Sequence, residues 1–65
     1  MDAKKIGKKL RELRGEKSVL TVAHAVGVSV SAIFMYEAGE RIPRDEVKKK
    51  FAEYFSISVE ELFYA

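Results

Sequence analysis

Two groups of side chains in this chain have the types and spacing for recognition chemistry, and none is set out for bond-making. Ser18 and Ser29 each stand immediately before an apolar-rich run. A serine there accepts a hydrogen bond from an orphan first-turn amide, and a helix N-terminus so opened attracts phosphate. Cations surround both positions. Lys4, Lys5, Lys8, Lys9, Arg11, Arg14 and Lys17 precede them, and Arg41, Arg44 and Lys48, Lys49 and Lys50 follow. Ser18 to Glu40 holds no lysine or arginine, and the last fifteen residues turn acidic with Glu53, Glu60 and Glu61. Basic flanks of this kind suit a polyanion.

Catalytic chemistry finds no footing. His24, the one histidine, lies between two alanines on a helical stretch and reads as a surface residue. There is no cysteine, hence no disulfide framework and no thiolate metal site. Asp45-Glu46 and Glu60-Glu61 are adjacent pairs that point to different helix sides, where dipole and capping roles suffice. With no nucleophile–base pair, no phosphate-cradling glycine loop and no convergent ligand set, the expectation is a non-enzyme without cofactor or metal.

The elements that position these residues follow from periodicity. Ile6, Leu10 and Leu13 share one face of a helix from about Ala3 to Arg14, which Gly15 ends. A short linker leads to Ser18 and a second helix whose inward face is Val22, Ala23 and Val26. Gly27 takes the left-handed position beyond it, and Val28 plugs the corner. Ser29 caps a third helix running to about Ala38 and stopping at Gly39. Ile33, Tyr36 and Ala32 form its packing face, with Val30, Ser31, Phe34 and Met35 largely on the other. This unit, residues 18–39, has the spacing of a helix-turn-helix, which lays its second helix in the DNA major groove. After Glu40-Arg-Ile-Pro43, a fourth helix starts near Arg44. Val47, Phe51, Tyr54 and Phe55 lie at helical spacing on it, and Lys48 to Lys50 read as mostly solvated. Ser58-Val-Glu-Glu61 is a capping box opening a short fifth helix, Val59 to about Phe63.

The fold class predicted is all-α: one compact five-helix domain over residues 1–65. Such a domain buries only about 60% of its unfolded surface, so its core must be efficient. No apolar run approaches the roughly 18 residues of a membrane span. The net charge is +2. A cytoplasmic location without membrane contact is expected.

At this point the chain resembles the Cro and phage-repressor-type helix-turn-helix regulators, also called XRE-like. The resemblance rests on Ile6…Leu10-Arg11-Glu12-Leu13-Arg14, Val22-Ala23…Gly27-Val28-Ser29, and Ser31-Ala32-Ile33…Tyr36-Glu37…Gly39. It continues through Arg41-Ile42-Pro43 and Ile57-Ser58-Val59-Glu60-Glu61-Leu62-Phe63. It covers nearly the whole chain in the family's order. It implies a regulator, a repressor by expectation, that binds double-stranded operator DNA as a homodimer. The recognition helices of the two copies would lie roughly 34 Å apart. Tyr64 would support the dimer near its axis.

Carried over position by position, the resemblance puts a buried ion pair on Arg14 and Glu37. It puts base-facing residues at Ser29, Val30, Ser31, Phe34 and Met35. The family's phosphate-contacting positions match Val19, Ala38 and the loop around Arg41 to Arg44. With the capped helix start and its flank added, the phosphate-facing set is Lys17, Ser18, Val19, Arg41 and Arg44, with helix-one lysines or Lys48 in support. The chain departs from the pattern at Val19, where a glutamine or other polar residue is usual, and at Ala38, where asparagine is. Its reading helix lacks the Arg, Lys, Asn or Gln that bidentate base readout needs. Thymine methyls, DNA shape and the flanking cations would then carry the preference. An alternative is that Val19, Leu20, Val30, Phe34 and Met35 form an apolar patch for a protein partner or self-association. A third reading has some of them packed in the core, the helix phase being shifted by a residue or two.

Overall fold

Asp2 opens the first helix: its carboxylate accepts from the amides of Lys4 and Lys5 at 3.1 and 3.2 Å. In this computed structural model, which describes all of residues 1–65, the chain contains helices and no strand. They are α1 (Ala3–Arg14), α2 (Val19–Val26), α3 (Val30–Glu37), α4 (Asp45–Phe55) and a C-terminal π-helical turn (Glu60–Tyr64). Ser18 and Ser29 cap α2 and α3, each hydroxyl accepting at 3.0 Å from the third residue on, Thr21 and Ala32. Gly27 ends α2 at φ +74°, a left-handed conformation that a Cβ would strain. α3 stops at Glu37, with Ala38 as its cap.

The core joins α1, α2, α3, α4 and the last turn. Phe51, Leu10, Ile33, Leu62, Val22 and Val26 are its largest fully enclosed side chains. Phe51 is the aromatic hub. Tyr36 meets it edge-on at 5.9 Å between centroids, Phe55 stacks at 6.2 Å and Phe63 lies at 6.5 Å. Such aromatic pairs add about 0.5–1.5 kcal/mol each beyond burial. Pro43 is also enclosed, so the loop between α3 and α4 is anchored rather than draped over the surface.

One sequence expectation is refined here and a second needs correcting. The fifth element begins as a capped turn, with Ser58 Oγ accepting from the Glu61 amide at 3.0 Å. The expected short fifth helix is therefore present, widened to π geometry over Glu60–Tyr64. The wider turn brings consecutive side chains closer in direction, and the neighbours Leu62 and Phe63 both reach the core. The second concerns Lys48, expected to be solvated and to support phosphate binding, but only 6% exposed. Its ammonium donates to Tyr64 Oη at 2.9 Å and lies 5.0 Å over the Tyr64 ring and 5.8 Å over that of Phe63. The Tyr64 hydrogen bond holds the Lys48 pKa above its ordinary value, against burial; Asp45 at 3.5 Å helps. Folding thus tightens the hold on this proton. The contribution stands in full below the ordinary lysine range and is lost as pH rises through the raised folded value. Lys48 is an internal clamp on the last turn, not a surface cation.

Candidate nucleic-acid interface

The interface is built by the angle between two short helices. α2 and α3 turn 103° relative to one another, within the range of a helix-turn-helix. No single helix is long and apolar enough to cross a membrane. Val22, Ala23 and Val26 of α2 and Ala32, Ile33 and Tyr36 of α3 are buried in the shared core. The opposite face of α3 turns outward as a ridge. The surface concavities are lined by the chain's two ends, by α4 with the segment after it, and by Ala25 with α4. None includes a residue of α3. A convex helix of this kind fits a groove rather than enclosing a small molecule.

One arginine fastens the ridge to the scaffold. Arg14 Nε donates to Glu37 Oε2 at 2.7 Å and Nη2 to Oε1 at 3.1 Å, a bidentate pair between the ends of α1 and α3. Nη1 donates to the Lys17 carbonyl at 2.8 Å, so the same guanidinium also holds the α1–α2 linker. The two side chains are 12% and 11% exposed. The hydrogen bond to Glu37 raises the Arg14 pKa, burial opposes it and the Glu37 charge adds to the rise.

The residues expected to face bases do not share one environment. Ser31 and Phe34 are exposed, Phe34 at 55%. Met35 is half-buried. Val30 is half-buried and packs against the core. The Ser29 hydroxyl is occupied by the Ala32 amide. Among the residues expected to face phosphate, the side chains of Lys17 and Arg41 are exposed and make no ion pair. Arg44 lies 3.8 Å from Glu46, but both are largely solvent-exposed, and such a pair is worth little. Ser18 Oγ accepts from the Thr21 amide and donates to Thr21 Oγ1.

Val19 and Val30 are half-buried and pack against the core, which narrows the apolar patch and agrees for these two with the third reading. Val19 is in phase with the buried Val22, Ala23 and Val26 of α2, and Val30 is the first residue of α3. Of the five patch residues, only Leu20, at 68%, and Phe34 are exposed.

Two contacts of α1 with α3 escaped the sequence reading, although the helix-one lysines were expected to support phosphate binding. Lys4, from α1, donates its ammonium to the Ala38 carbonyl at 3.1 Å, placing a cation at the end of α3 where the local sequence has none. The backbones touch there too: a Cβ on Gly39 would fall 2.8 Å from Lys4 Cα. Gly7 lets α1 reach α3, since a Cβ on it would lie 2.5 Å from the carbonyl oxygens of both Tyr36 and Glu37. A glycine inside an otherwise regular helix was the available signal. No set of His, Asp or Glu side chains converges as a metal site.

Compared with known proteins, residues 8–62 match the model of a family described as Helix-turn-helix. No curated protein matches the chain. No solved structure matches it either.

Proposed function

The chain belongs to the helix-turn-helix family of Cro and phage-repressor type, a family of DNA-binding transcription regulators, and from that premise we propose that it represses by placing α3 in the major groove. The observation that carries this reading is the convex, outward face of α3, held at 103° to α2 and fastened by Arg14. Ser29, Val30, Ser31, Phe34 and Met35 are the proposed base-facing set. Arg41, Arg44, Lys17 and the first turn of α2 at Ser18 and Val19 face the phosphates, and Lys4 joins them from α1. Two copies would read a palindromic operator with half-sites roughly 34 Å apart. We assign residues 1–65 to one such domain, working in the cytoplasm without catalysis or cofactor.

The cations supply affinity to any duplex, and α3 supplies preference. Arg41→Ala or Arg44→Ala is expected to weaken binding to every sequence alike. Each should flatten the slope of log K against log salt by about 0.9, because one fewer phosphate is neutralised. The check is an anisotropy titration at several salt concentrations against a duplex selected from a random pool. Equal slopes for variant and parent remove that arginine from the phosphate set. A second reading has one observation in its favour, the exposure of Leu20 and Phe34, which would suit self-association or a protein partner. In that case the pool yields no enriched duplex, and the protein associates with itself as its concentration rises.

A further inference from the structure

The polar inventory of the α3 ridge is short. Ser29 Oγ accepts from the Ala32 amide, both Glu37 oxygens are held by Arg14, and Tyr36 is 6% exposed. The Ser31 hydroxyl, with the O–H that Ser29 keeps free to donate, is therefore the side-chain polar chemistry of Ser29 to Glu37 left to meet a base edge. Beside these hydroxyls stand the exposed ring of Phe34 and the half-buried Val30 and Met35.

The major groove presents donors and acceptors from every base pair and one apolar group, the C5-methyl of thymine. A guanine or adenine edge pressed against Phe34 loses its water and gains no partner, which is costly. A methyl group in the same place loses only its unfavourable hydration. Building on the groove reading above, we infer that α3 selects duplexes by their thymine C5-methyl groups. Phe34 is the specificity-determining residue, and the hydroxyls of Ser31 and Ser29 are the polar contacts. The preferred site carries thymines where the ridge enters and is poor in guanine there.

The test uses the duplex selected from the random pool and replaces each thymine in turn by deoxyuridine, which removes the methyl and keeps the base pair. Binding is expected to fall about fourfold at each contacted thymine, the worth of one buried methyl, with the salt slope unchanged. Phe34→Ala removes an exposed side chain and should leave the fold intact, as its urea midpoint will show. It should also silence the uridine effect at the thymine that Phe34 faces. Equal affinity for the thymine and all-uridine duplexes overturns the inference while leaving groove binding standing. So does Phe34→Ala with its uridine response undiminished at every position. A pool from which no duplex is selected, together with self-association of the free protein, overturns both.

Discussion

Glu37→Ala is expected to cost about 3 kcal/mol of folding stability, the lower end of the range for breaking a buried ion pair. The lower end applies because both side chains retain slight exposure, 12% for Arg14 and 11% for Glu37. The loss is large against the total. A domain of 65 residues has a stability of roughly 3–10 kcal/mol at typical per-residue values. Glu37→Ala leaves the Arg14 guanidinium with only the Lys17 carbonyl as acceptor. Arg14→Ala is expected to cost at least as much, because it strands the carboxylate and also releases the α1–α2 linker. Arg14→Lys keeps the charge but cannot reproduce the fork that meets both Glu37 oxygens, so it should recover only part of the loss. Replacing both residues by methionine should cost less than either alanine variant alone, since no charge is then buried unpaired. Urea midpoints at constant slope measure all four. Single-variant losses below about 1 kcal/mol would reduce the pair to an ordinary surface ion pair.

Gly7→Ala carries the second large effect, and its sign is the informative part. At an unobstructed helix interior, alanine for glycine gains about 1 kcal/mol. At Gly7 the added Cβ would lie 2.5 Å from two backbone oxygens of α3 and 2.9 Å from the Glu37 carbonyl carbon. No rotamer relieves a clash between a Cβ and backbone, so α1 and α3 must move apart. Overpacking of this kind costs about 1–3 kcal/mol, and the helix that moves is the proposed reading helix. Gly7→Ala should therefore lower both stability and DNA affinity, whereas a stabilised variant would show that α1 and α3 are not in close contact.

Both effects bear on what was legible in the sequence. Capping and helix-ending rules are local, so Ser18, Ser29, Gly15 and Gly27 could be read from their immediate neighbours. The hydrophobic periods of α1 and α4 likewise marked Ile6, Leu10 and Phe51. What escaped depends on partners distant in the chain. The clamp on Lys48 needs Tyr64 and Phe63 from the last turn, and neighbouring lysines made it look solvated. Lys4 reaches Ala38, and Gly7 accommodates Tyr36 and Glu37, across the α1–α3 contact. Val30 fell on the outward side of an ideal helical wheel, and the resemblance put Val19 toward phosphate although it is in phase with Val22, Ala23 and Val26; both pack against the core. The site's scaffold was thus readable, while the environment of each ridge residue needed the third dimension.

The absence of cysteine makes groove reading by α3 directly testable. Ser31→Cys places a unique thiol on the exposed ridge of α3, and Glu53→Cys on α4 serves as the control. Each variant is equilibrated with the selected duplex carrying a thiol tether either on cytosine N4, in the major groove, or on guanine N2, in the minor groove. If α3 reads the major groove, Ser31→Cys forms a disulfide with the N4 tether at defined positions and not with the N2 tether. Glu53→Cys should cross-link with neither. Cross-linking of Ser31→Cys through the minor groove, or no more efficiently than Glu53→Cys, would remove α3 from the major groove.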